Sequence, residues 1–553
     1  MIPNERKSRR TAHFLFAGAA LIGFFALAWA TGRGSGLQPD SAFYLDCAKH
    51  IRAGDGYATT LQDYLKPLSL AEYLEEMKVQ GSLTPRPEVV FPPLFSYAIA
   101  ALNAAGLETT QAGRWIGLIL FGANIFLVAA IVFKYTAPSR IFALAAAVLM
   151  FGSESMLTLH ANVLSEPLFL FLSLLGLLGL SQFVEDGAVS KLLLGSLAVG
   201  LAFLTRYTGG ALVLAGGLGF LALRRIPIRK RLVSTTVFLM VSCLPMAIFV
   251  IRNERSAGSA TNRSFLFSPP PVVEFFQTLK TTLLSWVFPN LNRVLASPIR
   301  EYVLSLVSLA LIAAIGGAAV FIVRNKKKAH CGGFVLPAFP NTPFLFALYL
   351  PIYFAFILFS AFFMDHATVP DIRLLSPFFV MGLIVGIVAI SQIGDLLKNA
   401  RIKSALSLLF GLYVFGYLAV GAVWVVQFHA KGGGYNNTEW RSPEMESAFV
   451  RIAAETPGTP ILTNDNTAVY FLGGRSSYFV PLAKDLARLD ELKGEIGTGP
   501  VLVLYFKTKM HVVRDEADAG LSSDRIEQAL TEGLSAKVLI RRPTVTVFRI
   551  NRP

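Results

Sequence analysis

Apolar runs close to the length of a bilayer crossing recur almost from one end of this chain to the other. The first, TAHFLFAGAALIGFFALAWATG, follows the basic start RKSRR. An α-helix rises about 1.5 Å per residue, so ~20 apolar residues cross the ~30 Å hydrocarbon layer. Spans read at roughly 13–31, 112–133, 141–156, 165–183, 191–206, 209–223, 233–251, 302–323, 343–364, 374–393 and 402–427. The pattern sets the class: a polytopic α-helical membrane protein with about 11 transmembrane helices. Charged residues make up 15% of the chain, against about 25% in soluble proteins.

The net charge of +15 reads as topology. Short cytoplasmic loops are enriched in Lys and Arg. RKSRR, Lys134 with Arg140, RRIPIRKR (224–231), RNKKK (324–328), and Lys398 with Arg401 and Lys403 all fall on one face of the expected spans. That face is the cytoplasmic one, and Asp40 emerges on the other. Ala28-Trp29-Ala30 offers a small-residue cleavage pattern, but the apolar run is long and more spans follow, so it reads as an uncleaved first helix. Cys47, Cys243 and Cys331 lie far apart and show no metal or redox spacing. No basic stretch with interleaved aromatics suggests a nucleic-acid site.

FPPLFSYAIAALNAAGL (Phe91–Leu107) is apolar but short and opens with two prolines. Counting it as a span would reverse Lys134 and Arg140, so it reads as a re-entrant or surface-lying helix on the outer face. Four outer loops follow from this topology: 32–113, 153–167, 252–300 and 365–373. The membrane module is expected over 1–429. After His429, the turn-rich KGGGYNNTEWRSP leads into alternating helix and strand patterns. PILTN, SYFVP, PVLVLYF, AKVLI and TVTVFRI are strand candidates; EMESAFVRIAAET and SDRIEQALTEG are helix candidates. Residues 430–553 are expected to form a small soluble α/β domain on Asp40's side.

Ionisable residues at span ends are costly and default to functional candidates. Asp40, Glu154, His160, Glu166, Arg206, Asp365, His366, Asp371 and Arg373 all fall at outer ends. Carboxylates and arginines around one outward cavity suit a phosphate-bearing lipid. Arginine grips phosphate with a planar fork, and a carboxylate can take a proton from a hydroxyl. Each residue also has a plain reading. Asp40 could be a solvated loop residue. Glu166, ahead of Pro167, could complement a helix dipole. Arg206 and Arg373 could snorkel to headgroups. His160 and His366 could be hydrogen-bonded structure. TGGALVLAGG reads as close helix packing. No HExxH, Walker loop or GxSxG is present.

Several of these stretches resemble landmarks of the GT-C superfamily of membrane glycosyltransferases, in particular bacterial relatives of the protein O-mannosyltransferases and aminoarabinose transferases. PDSAFYLDCAKHIRAGDGY resembles their first outer loop, and FPPLFSYAIAAL their proline-led juxtamembrane segment. AGRWIG with Arg114 is similar to the next helix start, and NVLSEPLFLFL to the segment with a second acidic residue. LAFLTRYTG, FVIRNERSAGSATNRS, DIRLLSPFF and ILTNDNTAVYFLGGRSSYFVP are similar to later landmarks. The first loop carries Asp40-Ser41 where the mannosyltransferase pattern has an Asp-Glu pair.

The resemblance implies an integral-membrane enzyme that moves a hexosyl or pentosyl group from a polyprenyl-phosphate donor to a lipid, glycan or protein acceptor. Asp40 would be the general base, and transfer would invert the anomeric carbon. Tyr44, Asp46, His50, Arg114, Glu166, Arg206 and Arg373 would bind substrate, with Arg206 or Arg373 meeting the donor phosphate. No cofactor is expected beyond a divalent ion of the kind some relatives bind between loop carboxylates, here Asp40 and Glu166. The expected location is the cytoplasmic membrane, N-terminus inside. A transporter or flippase is the alternative. Transporters place charge near mid-membrane within inverted repeats, and neither feature is visible in the sequence.

Overall fold

The computed structural model describes residues 3–61, 69–136, 139–223, 227–289 (without 264 and 268), 343–364, 370–434 (without 398), 442–479 (without 456–457), 499–507 and 527–552 (without 529–530 and 534). The expected span 302–323 and the residues Asp365 and His366 lie outside them.

Long apolar helices dominate. They are α1 (Pro3–Ala30), α2 (Pro39–Ala53), α3 (Leu70–Gln80), α4 (Leu94–Ala104), α5 (Thr109–Tyr135), α6 (Arg140–Gly152), α7 (Glu154–Ala161), α8 (Glu166–Asp186), α9 (Val189–Phe203), α10 (Gly210–Ala222), α11 (Ile228–Ala257), α12 (Val272–Val287), α13 (Phe344–Phe363), α14 (Ser376–Leu396) and α15 (Ala400–Lys431). Ten of the expected spans coincide with helices. Seven of these helices are long and apolar enough to cross a membrane, or eight if α6 and α7, bent by 60°, are one span. The expected eleven is therefore not reached among the described residues. The helices α9 and α10 are 15 and 13 residues long, about 20 Å of helix each, short of a full crossing. The protein is a multi-pass membrane protein. Its outer surface keeps Phe14, Ile22, Phe25, Met240 and Phe415 exposed, which lipid covers and water would not.

Close packing uses small residues. A Cβ on Gly216 would meet the Phe238 ring at 2.4 Å, so TGGALVLAGG lets α10 and α11 approach. Lys134 pairs with Glu185 at 2.5 Å, joining the ends of α5 and α8 opposite Asp40.

The segments expected outside the membrane hold more structure than the sequence suggested. The segment 91–107 forms α4, 11 residues long, too short to cross. It packs against α2, burying Phe95, Ile99 and Ala100. The 153–167 loop contains α7, and the 252–300 loop contains α12. Neither helix was read from the sequence, nor was α3.

The C-terminal unit has α16 (Pro443–Ala453), β3 (Ile461–Thr463), α17 (Asn466–Gly473), β4 (Tyr478–Phe479), β5 (Gly499–Phe506), β6 (Lys537–Arg541) and β7 (Val545–Arg552). A short antiparallel pair, β1 (Ala58–Thr59) and β2 (Arg86–Pro87), lies between α2 and α4. The five strands run in the order β4-β3-β5-β7-β6, with β3 parallel to both neighbours and β7 antiparallel to β5 and β6. All five strand candidates form strands. The helix candidate SDRIEQALTEG lies mostly outside the described residues.

Alternation along the strands assigns two buried faces. Leu502, Leu504, Phe506, Val545 and Val547 pack with Met445, Ala448 and Val469 of α16 and α17. Val501, Val503, Tyr505, Phe548 and Ile550 pack with Leu70, Tyr73 and Met77 of α3. The sheet therefore takes one covering helix from residues 70–80, outside the expected 430–553 unit. The first of these cores continues into Tyr44, Leu45 and Ala48 of α2, so the sheet unit sits on Asp40's face of the bundle.

Candidate active site

Two short segments aim the acidic residues. Pro39 opens α2 at a position where its missing N–H costs nothing, which puts Asp40 in the first turn. Ser41 Oγ accepts from the Gln38 N–H at 2.9 Å and donates to the Val163 carbonyl at 2.7 Å. This ties the Asp40 turn to the segment that leads into α8. There Ser165-Glu166-Pro167 starts the helix, with Glu166 in the first turn, where a negative charge complements the helix dipole.

The backbone adds a junction. Gly36 pairs with both Asn162 and Gly434. The Gly36 N–H donates to Ala161 O at 2.9 Å, and Gly434 N–H donates to Ser35 O at 2.7 Å. A Cβ on Gly433 would fall 1.8 Å from Gly34 O, so only glycine allows this approach. The segment before Asp40, the segment before Glu166 and the link to the C-terminal unit are held side by side.

Arg373 closes the site from the segment before α14. Its Nη2 lies 2.5 Å from Asp40 Oδ2 and 3.0 Å from Glu166 Oε1, and its Nε donates to Glu166 Oε1 at 3.0 Å. Arg206, just after α9, places Nη1 3.0 Å from Glu166 Oε1 and 3.1 Å from Ser165 Oγ. Ser165 Oγ also shares a 2.9 Å hydrogen bond with Tyr44 OH. Glu166 is 1% exposed and Asp40 27%. Asp371 accepts from the N–H groups of Arg373 and Leu374 at 3.0 and 2.9 Å, and Tyr353 OH donates to Leu374 O at 2.6 Å. These bonds fix the backbone that carries Arg373. Burial pushes the Asp371 carboxyl up. Burial opposes charge on Arg373 too, but Glu166 and Asp40 hold it well above the usual arginine value.

Residues 90–251 match the family model described as dolichyl-phosphate-mannose-protein mannosyltransferase, a stretch that includes Glu166 and Arg206 but neither Asp40 nor Arg373. No curated protein matches the sequence. ArnT from Cupriavidus metallidurans, solved bound to undecaprenyl phosphate, superposes with a TM-score of 0.55 at 13% identity, over 98% of this chain and 99% of that one. The fold is that of the GT-C membrane glycosyltransferases. Arabinofuranosyltransferase AftD from Mycobacteria gives a TM-score of 0.54 at 15% identity, covering 98% of this chain and 40% of that one.

On the GT-C fold, Asp40, Tyr44, Glu166, Arg206 and Arg373 come together, whereas Asp46, His50 and Arg114 do not join them. Asp40 and Tyr44 share one face of α2 by their four-residue spacing; Asp46 and His50 share another. Asp46 Oδ2 accepts from Thr59 Oγ1 and Thr60 N at 2.8 and 2.7 Å, and His50 Nδ1 is 2.8 Å from Asp55 Oδ2. Both hold together the loop that follows α2. Arg114 bonds Ala28 O and Thr31 Oγ1 at 2.9 and 3.0 Å, closing the C-terminal end of α1, where a cation is favoured. His160 is buried between Asn124 and the Met156 carbonyl. Ser165 was missed in the sequence. Its signal was the N-cap pattern before Glu-Pro.

Among the described residues no group of three or more His, Cys, Asp or Glu comes together as a metal centre. The pair suggested for a divalent ion, Asp40 and Glu166, is bridged instead by the Arg373 guanidinium.

Proposed function

We propose that this protein is an integral-membrane glycosyltransferase that moves a sugar from a polyprenyl-phosphate donor to an acceptor hydroxyl on the extracytoplasmic face. The observation that carries the reading is the meeting of two carboxylates and two arginines at one end of a GT-C bundle. The undecaprenyl phosphate in the ArnT structure supports the class of lipid carrier.

Asp40 is the half-open carboxylate and the base. It takes the proton of the acceptor hydroxyl from within about 3 Å, directly or through one water. The hydroxyl oxygen bonds to the anomeric carbon as the bond from that carbon to the phosphate oxygen breaks. The polyprenyl phosphate leaves with the electron pair, and attack from the opposite side inverts the centre. Arg373 and Arg206 meet the charge that develops on the leaving phosphate. Tyr44 and Ser165 orient Arg206. The divalent-ion expectation does not fit the Asp40–Glu166 pair, because a cation already stands between them. The enzyme sits in the cytoplasmic membrane with its C-terminal unit outside, and the transferred group is a hexose or a pentose.

The test is analysis of lipid-linked sugars in cells lacking the protein, cells carrying it, and cells carrying Asp40→Asn. A polyprenyl-phosphate sugar that accumulates in the first and third, but not the second, supports transfer and identifies the donor. An unchanged lipid pool with solute movement by the wild type would replace this reading with transport.

A further inference from the structure

We propose that Arg373 is a donor-operated latch on Asp40: the empty site holds the base in an ion pair, and the donor phosphate releases it by taking the arginine. The inference rests on the transferase reading and concerns how that same site is regulated.

The charges of the cluster cancel. Asp40 and Glu166 face Arg206 and Arg373, while Asp371 spends Oδ1 on the backbone of its own loop. A phosphodiester anion entering here meets no arginine of the cluster that is unpaired. It gains a cation only by drawing one from a carboxylate. The two arginines are not equal in this exchange. Arg206 pairs with Glu166, which is 1% exposed, and also bonds Ser165. Drawing it away would take a cation from a fully enclosed carboxylate and break its bond to Ser165, which is costly. Arg373 Nη2 pairs with Asp40, which is 27% exposed, so water or the acceptor hydroxyl can replace the lost partner.

Glu166 supplies the pivot. Its Oε1 takes both Nε and Nη2 of Arg373. Its Oε2 is buried and has no hydrogen-bond partner in another residue among the described ones. A guanidinium that turns away from Asp40 can keep Oε1 and gain Oε2, a bidentate arrangement favoured between arginine and carboxylate. The Arg373 backbone need not move, because Asp371 and Tyr353 hold it. The switch is thus one side chain exchanging Asp40 for phosphate. In the pair Asp40 has Oδ2 committed to the Arg373 guanidinium; after release that oxygen is open to the acceptor hydroxyl. Base activation then follows donor binding.

Carboxylate labelling of the full chain in lipid nanodiscs tests this. A water-soluble carbodiimide with an amine nucleophile marks accessible carboxylates, and tandem mass spectrometry separates Asp40 from Asp46. The probes are a C55 polyprenyl phosphate and the matching polyprenol without phosphate, with binding of each measured by native mass spectrometry. Asp186, at the opposite end of α8, is the reference. Asp40 labelling should rise several-fold with the phosphate and stay unchanged with the polyprenol. Arg373→Gln should label Asp40 at the high level with or without lipid; the two-lipid comparison on wild type stands without it. Bound polyprenyl phosphate with Asp40 labelling unchanged or lowered overturns the latch and leaves the transferase reading intact. Failure of polyprenyl phosphate to bind at all overturns that reading and the latch with it.

Discussion

Asp40 and Glu166 are both carboxylates on Arg373, yet burial gives them different work. Asp40 reaches solvent and pairs once; Glu166 is enclosed and neutralises two arginines. Asp40→Asn keeps the shape and a hydrogen-bond acceptor for Arg373. The variant should fold and insert normally while transfer falls by about 10²–10⁴-fold, the usual share of a general base. Activity near wild type, measured on purified protein with the donor identified above, would remove Asp40 from the base role. Glu166→Gln should do the reverse first. It leaves two cations facing each other, at a cost of about 3 kcal/mol, the low end for a broken buried pair. Both arginines keep part of their surface open, 21% and 24%. Thermal unfolding in detergent should show a lowered Tm for Glu166→Gln and little change for Asp40→Asn.

The element that most departs from the linear order is α3. It belongs to the loop between α2 and α4, begins at a Ser69–Glu72 capping box and ends as a layer of the C-terminal sheet. Tyr73 OH accepts from Ile461 N at 3.0 Å and donates toward Ile461 O at 3.3 Å, so one hydroxyl satisfies both backbone groups of the first β3 residue. Tyr73→Phe leaves buried groups unpaired, at about 1–3 kcal/mol. Limited proteolysis of the variant should cut within 442–552 faster than in wild type; equal rates would show that α3 is not holding the sheet. The other end of β3 carries a pH response. Asp465 caps α17 by accepting from Ala468 N at 3.0 Å. Burial pushes its carboxyl up to about 7, against the hydrogen bonds from Ala468 and Thr467. An unfolded aspartate titrates near 3.9, so the folded unit holds the proton more tightly. Its stabilising contribution is full below about pH 4 and is lost as pH rises through about 7. Asp465→Asn retains the cap acceptor and removes the titration. Thermal unfolding between about pH 5 and 8 should fall more steeply in wild type than in the variant, and parallel curves would count against the assignment.

At the scale of the whole molecule, the C-terminal unit sits on Asp40's face, and the Gly34–Gly36, Asn162 and Gly433–Gly434 junction joins it to both acidic segments. A periplasmic-type reporter fused after Pro553 should therefore be active and a cytoplasmic-type one silent. The opposite result would reverse the side assigned to the site. How much of this the sequence contains depends on the range of the physics involved. Hydrocarbon thickness acts on each apolar run separately, so the positions of ten helices were legible, as were five strands by their β-branched alternation. The short length of 91–107 was legible for the same reason. That Asp40, Glu166, Arg206 and Arg373 stand at the ends of apolar runs was legible in the same way; that they meet is seen in their ion pairs. What separated Asp46, His50 and Arg114 from them was the direction of a side chain around a helix and the partner it found there. Asp55 and Thr59 are such partners a few turns of chain away in the same loop, and the open end of α1 is one 83 and 86 positions from Arg114. The same holds for α3, whose weakly patterned 11 residues become a sheet cover only because the C-terminal strands offer it an apolar face. A multi-pass bundle with acidic and basic groups at the ends of its spans is written in the residue order alone, since lipid solvation is a local constraint. Which carboxylate is buried, which is open, and that one arginine joins them emerge on folding, since ion pairing depends on distances between residues as far as 333 positions apart.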